Sequence, residues 1–215
     1  MNTSKQWTNG IWARMAHVKR YSSVPVQHSE SVAEHTFYVC MFTYLICLRV
    51  KNETTGRGNV GVNMEVALRR AVVHDLDECV TGDIIRTFKH CDPEANKLLK
   101  KLTTKNFKEA MEHVPLGTTI LGDWSDAKKY DLEGRIVELA DLWSVAEYAQ
   151  REILQGNWFA SFLLRGVGNW IGSAEWPRPI KDIAAEIANH AHDIRKGQWP
   201  DETYMGHLTR RKEDT

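Results

Sequence analysis

Nowhere does this chain alternate apolar and polar residues for a useful length, the pattern a half-buried strand requires. Its apolar residues recur instead at helical spacing, between residues that start and stop helices. Ser29 or Ser31 caps a helix running to about Lys51, and a polar, glycine-bearing loop follows over 52–61. Asn63 caps the next helix, whose Val66, Ala67, Ala71 and Val72 recur at helical spacing. That helix ends near Asp75, or continues briefly to Val80 before Thr81-Gly82-Asp83. Asp92-Pro93 places a cap ahead of a proline at the first helical position, predicting a helix to about Leu102. A further helix covers Lys105 to His113 and stops at Pro115. A long one starts at Ser125 or Asp126 and runs to Leu154, with Gly156 beyond its end. The stretch from Trp158 to Pro179 mixes Gly and Trp without a clear period, and a final helix runs from Ile180 to Lys196. The expectation is an all-α fold, a helical bundle.

At 215 residues the chain matches one good-sized domain, and no linker or internal repeat divides it, so residues 1–215 are read as one unit. Its 28 Lys+Arg balance 28 Asp+Glu, which argues against a general nucleic-acid-binding surface. The longest apolar run, Phe37 to Leu48, is closed by Arg49 and Lys51. A membrane span needs about 20 such residues, so this run reads as a buried helix with no membrane role. Met1 to Gly10 is polar, with nothing resembling a secretory signal. Cys40, Cys47, Cys79 and Cys91 show no paired spacing and read as reduced thiols, as expected of a cytoplasmic protein.

Four positions carry potential chemistry. His35 opens the most apolar helix, where the ordinary reading is a capped, partly buried histidine. His74-Asp75 sits at the edge of an apolar segment, and an adjacent imidazole and carboxylate can reach one divalent ion where a helix ends. Glu78, one turn after His74, hangs over the same place. Asp141 lies among Ile136, Val137, Leu139, Leu142 and Trp143, where an ionised carboxylate is costly unless paired or coordinated. A salt bridge from Arg135 is its ordinary alternative, and Glu138 is a rival ligand. Finally, Lys19, Arg20 and Tyr21 put two cations beside an aromatic ring, a set able to hold a phosphate and cover a sugar. A solvated basic turn explains it equally well.

Taken in order, His35, His74-Asp75 and Asp141 reproduce the H…HD…D pattern of the HD-domain phosphohydrolases. The chain most resembles the HD-domain 5'-deoxynucleotidases, with their phage-encoded triphosphohydrolase relatives. The likeness rests on Val18-Lys19-Arg20-Tyr21, on Ser31-Val32-Ala33-Glu34-His35, on the run from His74-Asp75 through Glu78 to Thr81-Gly82-Asp83, and on Ala140-Asp141. It spans roughly residues 15–150, leaving the helices of 158–200 to complete the bundle or form an interface. The resemblance implies a single HD-domain bundle and one divalent ion (Mn, Co, Zn, Fe or Mg) bound by His35, His74, Asp75 and Asp141. It implies catalytic roles for Glu78 and Asp83, the latter as proton relay or partner of the sugar 3'-hydroxyl. Arg20 would contact the substrate phosphate, with Lys19 and Lys89 as further cations, and Tyr21 would pack on the deoxyribose. Two departures stand out: Tyr21 replaces a frequent tryptophan, and Ile84-Ile85-Arg86-Thr87 replaces a proline-containing run, adding the cation Arg86.

The expected function is hydrolysis of deoxynucleoside 5'-monophosphates to deoxynucleoside and phosphate. Arg86, Tyr21 and the missing prolines keep a dATP-type triphosphohydrolase releasing triphosphate as the alternative, and a non-catalytic nucleotide-binding scaffold is the weaker one. The expected partners are a small deoxynucleotide and further copies of the chain in a dimer or hexamer. The expected setting is a bacterial cytoplasm, with a phage-encoded origin left open. His190, His192 and Asp193 are read as a solvated helix end, because two-residue spacing separates the histidines around the helix.

Overall fold

The computed structural model describes residues 10–54, 61–84, 89 and 92–195. Among them the elements are helical: α1 (Ile11–Arg14), α2 (Val32–Thr54), α3 (Met64–Val73), α4 (Glu78–Thr81), α5 (Pro93–Met111), α6 (Gly117–Ser125), α7 (Leu132–Leu154), a 3-10 turn (Trp158–Ala160), α8 (Ser161–Ser173) and α9 (Arg178–Arg195). The one extended pairing among them is an isolated bridge between Lys19 and Ser31. None of these helices is long and apolar enough to cross a membrane.

The caps explain several boundaries. Asn63 accepts a hydrogen bond from the Val66 amide, Asp92 from Ala95, and Asp131 from Gly134, so each satisfies an otherwise orphaned first-turn donor. The anticipated break between Leu102 and Lys105 does not occur, and α5 runs unbroken through Thr103-Thr104. Nothing there removes a backbone donor, and Phe107 and Met111 anchor the helix by burying completely. The long helix expected from Ser125 or Asp126 starts only at Leu132: residues 126–131 form a turn, and α6 occupies the stretch before it, where no helix was expected. That turn is held from outside its own sequence: Arg70 on α3, itself buried, reaches Asp131 at 2.6 Å and Asp126 at 3.7 Å. The stretch left without a period resolves into the 3-10 turn and α8.

α2 and α7 form the centre. Val39, Ile46, Cys47 and Val50 of α2 bury one face against Ile136, Val137, Leu139, Ala140 and Ala146 of α7, with Ala67 and Ala71 of α3 closing the third side. Full burial of a side chain such as Leu139 stabilises the fold by roughly 1.5–3 kcal/mol. α8 and α9 cover the other side of α7 through Leu164, Val167 and Ile171 meeting Ile180, Ile183 and Ile187. A smaller core gathers Ile11, Val32, Val73, Leu76, Cys79, Phe107 and Met111 beneath α5. The start of α2, the end of α3 and the middle of α7 meet at the boundary of the two cores.

Candidate metal centre

Ser31 and Glu34 explain how His35 is placed. The Ser31 hydroxyl accepts from the Glu34 amide at 3.2 Å while Glu34 Oε2 accepts from the Ser31 amide at 2.7 Å, a reciprocal capping box. This fixes the first turn of α2 and directs the fully buried His35 inward, where its Nδ1 lies 3.0 Å from Ser144 Oγ on α7. His74 follows the last residue of α3, and its Nδ1 donates to the Ala71 carbonyl at 2.8 Å. That carbonyl assigns the tautomer of the neutral ring: Nδ1 carries hydrogen, so Nε2 presents a lone pair.

The two imidazoles then meet two carboxylates. His35 Nε2 lies 3.3 Å from His74 Nε2, 3.1 Å from Asp141 Oδ1 and 3.5 Å from Asp75 Oδ2, and His74 Nε2 lies 3.1 Å from that same Asp75 oxygen. One ligand atom from each of the four residues falls within 4.8 Å of the others. With the ring neutral, the His74 lone pair and the Asp75 oxygen are both acceptors, so their contact calls for a shared proton or a bound cation between them. Two imidazoles and two carboxylates suit Mn, Fe, Co or Zn, and Mg less well, since imidazole is not its preferred ligand.

Arg135 does not pair with Asp141: it binds Glu138, one turn away, and the carbonyl of Glu175, and stacks over Trp176 at 4.2 Å. Glu138 is thereby engaged elsewhere, leaving Asp141 to the cluster. The cation that does reach the carboxylates is Lys128, 2.6 Å from Asp141 Oδ2 and 3.7 Å from Asp75 Oδ1. Burial works against ionising either aspartate, but His74 and Lys128 at Asp75, and Lys128 and His35 at Asp141, hold both well below the ordinary carboxylate range.

Around this cluster stand polar atoms without partners among the described residues. Glu78 is buried; its Oε1 faces Lys89 at 3.4 Å and its Oε2 has no partner. Burial first, then the nearby Asp75, push its carboxyl up to about 8, against a smaller pull from Lys89. Arg20 Nη1, Tyr21 Oη and Glu30 Oε2 are likewise buried and unpartnered. Tyr21 has a left-handed backbone (φ 60°), its ring stacks on Tyr148 at 4.3 Å, and its amide donates to Asp83 Oδ2 at 3.3 Å. Gly82, at φ 73°, allows the reversal after α4 that turns Asp83 back toward Tyr21. Lys19 is exposed and reaches the Ser29 carbonyl at 3.5 Å. Arg86 lies outside the described residues.

Four groups the motif reading did not single out belong here: Lys128, Ser144, Glu30 and Tyr148. Lys128 sits in the polar run Ala127-Lys128-Lys129 and Tyr148 in an apolar helix, so neither carries a local signal. An open cleft of about 410 Å³ lies over the cluster, lined by His74, Asp75, Glu78, Lys89, Trp124 and Lys128 among others. Asp77, Lys89, Trp124 and Ser125 also line a neighbouring cleft of about 480 Å³, whose far wall carries Lys100 and Lys108 of α5.

Comparison with known proteins places the chain among relatives. A family model described as 5'-deoxynucleotidase YfbR-like matches residues 10–162. A 5'-deoxynucleotidase of Vibrio vulnificus is 29% identical over 103 residues, 48% of this chain and 51% of its own. A dATP triphosphohydrolase of Salmonella phage PMBT28 is 28% identical over 123 residues, 56% of this chain and 63% of its own. The chain thus spans about half to two thirds of the length of these curated relatives. A cyanophage S-2L HD phosphohydrolase, solved with dA and one catalytic Zn2+ ion, shares the fold with a TM-score of 0.58 at 15% identity, over 88% of this chain and 96% of its own.

Proposed function

Because the chain belongs to the YfbR-like 5'-deoxynucleotidase family, we propose that it is a metal-dependent phosphohydrolase converting deoxynucleoside 5'-monophosphates to deoxynucleoside and phosphate. The observation that carries this reading is the convergence of His35 on α2, His74 and Asp75 in the turn after α3, and Asp141 on α7 on one small volume, beside the buried, unpartnered Glu78 Oε2 and Arg20 Nη1.

His35, His74, Asp75 and Asp141 would hold the divalent ion, which supplies charge neutralisation at the phosphate and a water acidified toward neutral pH. In the hydrolysis, the water oxygen forms a bond to phosphorus as the bond from phosphorus to the sugar O5' breaks, and a proton passes to O5'. Glu78 is suited to moving that proton: a carboxyl with an affinity raised toward neutrality can take it and return it. Arg20 stays charged despite its burial and has a free Nη1 for a phosphate oxygen. Asp83 orients Tyr21 through its amide, and the Tyr21 ring, backed by Tyr148, offers a flat wall for the deoxyribose.

The second cleft favours one further reading. Lys89 borders both clefts, and Lys100 and Lys108 extend the positive lining away from the cluster, as the distal phosphates of a deoxynucleoside triphosphate require. The phage relative named for dATP hydrolysis supports this reading too. Chromatographic product analysis with each deoxynucleoside mono- and triphosphate, ribonucleotide controls and added Mn2+ or Co2+ separates the two. Deoxynucleoside plus inorganic phosphate from monophosphates supports the first reading. Deoxynucleoside plus intact triphosphate supports the second, and neither product overturns both. We place the protein in the cytoplasm as a homo-oligomer; Phe37, Met41, Tyr44 and Leu45, exposed along α2, are its proposed contact, which light scattering tests.

A further inference from the structure

Lys128 stands in the turn between α6 and α7, and that turn is fixed by contacts on every side. Arg70 ties down Asp131 and Asp126, and Ala127 is buried. Trp124 donates to Asp77 at 2.9 Å just before the turn. The backbone of Gly134 lies so close to Lys129 that an added Cβ would fall 2.2 Å from its carbonyl oxygen. The position of Lys128 is therefore imposed by the scaffold.

Its bonding is selective. Asp75 and Asp141 each divide their two oxygens: Asp75 Oδ2 and Asp141 Oδ1 face the imidazoles, whereas Asp75 Oδ1 and Asp141 Oδ2 face the Lys128 ammonium. A single cation thus bridges the outer oxygens of both candidate ligands. The carboxylates are 18% and 19% exposed while the Lys128 side chain is 39% exposed, and Lys128 lines the 410 Å³ cleft. From there, a hydrogen not used by the carboxylates is available to an anion entering the cleft.

We propose that Lys128 is a positioning residue that makes Asp75 and Asp141 approach the ion through one oxygen each, and that it offers its remaining hydrogen to the substrate phosphate. This rests on the ion site proposed above. Two consequences run in opposite directions. An ammonium beside a divalent ion weakens ion binding by like-charge repulsion and by denying the carboxylates their second oxygen. The same ammonium strengthens phosphate binding through a charge-assisted hydrogen bond. A lysine that served the scaffold alone would support both kinds of binding together.

The test uses the full chain stripped of metal, with Mn2+ alone as the first probe and inorganic phosphate added to the Mn2+-loaded protein as the second, both by titration calorimetry. Lys128→Met is expected to bind Mn2+ about tenfold more tightly and phosphate about tenfold more weakly. Lys128→Arg, which keeps the charge, is expected to stay within about threefold of the parent for both. Lys128→Gln follows Lys128→Met in sign, and circular dichroism checks that every variant keeps its helix content. Mn2+ binding that is unchanged or weaker in both Lys128→Met and Lys128→Gln overturns the positioning role. Unchanged phosphate binding overturns the phosphate contact. A parent chain that does not bind Mn2+ overturns the ion site, and the role of Lys128 with it.

Discussion

Tyr21 and Tyr148 stack almost in parallel, ring centroids 4.3 Å apart and planes 9° from one another, across most of the sequence separating the first motif from α7. The stack holds Tyr21 in a left-handed conformation that a bulky residue adopts only when its surroundings impose it. Tyr148 is fixed in turn, donating its hydroxyl to the His28 carbonyl at 2.7 Å. Replacing Tyr148 by leucine should leave Mn2+ binding intact while raising KM for deoxynucleotides several-fold, since the sugar wall loses its backing. Tyr21→Trp should raise the ratio of deoxyribonucleotide to ribonucleotide turnover. An unchanged ratio would mean that the sugar is read elsewhere.

Removing a candidate ligand should separate metal from fold. His74→Ala and Asp75→Ala are expected to abolish Mn2+ binding and turnover while far-ultraviolet circular dichroism stays near that of the parent. The bundle is held by apolar side chains of α2, α3, α7, α8 and α9, which neither substitution removes. Full activity in both variants would sink the ligand assignment.

Glu78 predicts a pH dependence with a definite sign. Its carboxyl holds its proton up to about 8 in the fold, against an ordinary value of 4.5. Between those limits the unfolded chain has released that proton while the folded chain keeps it, so stability conferred by the protonated group is lost as pH rises toward 8. In the metal-free chain, the Tm difference between the parent and Glu78→Gln should shift against the parent from pH 5 to pH 8. The same variant should retain Mn2+ and lose turnover by roughly 10²- to 10⁴-fold. Loss of Mn2+ instead would make Glu78 a ligand.

Gly134 tests the scaffold beneath the site. An added Cβ would meet the Lys129 carbonyl oxygen at 2.2 Å and its nitrogen at 2.7 Å, both backbone atoms that cannot step aside cheaply. Gly134→Ala should cost about 2–4 kcal/mol in denaturant unfolding, and should weaken phosphate binding by displacing the turn that carries Lys128. A stability change below about 0.5 kcal/mol would show that the turn yields easily.

A last prediction concerns the loop before α2. Glu152 accepts from the Gln27 amide at 2.7 Å, the His28 amide at 2.8 Å and Asn157 Nδ2 at 2.6 Å, clipping that loop to α7. Glu152→Ala should expose the amides of residues 27 and 28 to faster hydrogen exchange and raise KM for substrate more than it lowers kcat. Equal exchange in both proteins would overturn the clip.

The all-α fold, the caps at Asn63 and Asp92, and the order of His35, His74-Asp75 and Asp141 are legible in the sequence, because helical spacing, capping chemistry and short motifs act between near neighbours. The continuity of α5, the presence of α6 and the start of α7 at Leu132 are not. Thr103-Thr104 is neutral toward either outcome, and the 126–131 turn is set by Arg70, more than fifty residues earlier. The same holds for the candidate site. Local sequence supplied the imidazoles, the carboxylates and the basic-aromatic segment, but left a salt bridge from Arg135 open as the ordinary alternative for Asp141. Packing decided otherwise, engaging Arg135 with Glu138 and bringing Lys128 to Asp141 from a turn with no motif of its own. Which residues carry chemistry was written in short-range pattern; which charges face one another was decided by the tertiary fold, since a partner is chosen by distance in space and burial.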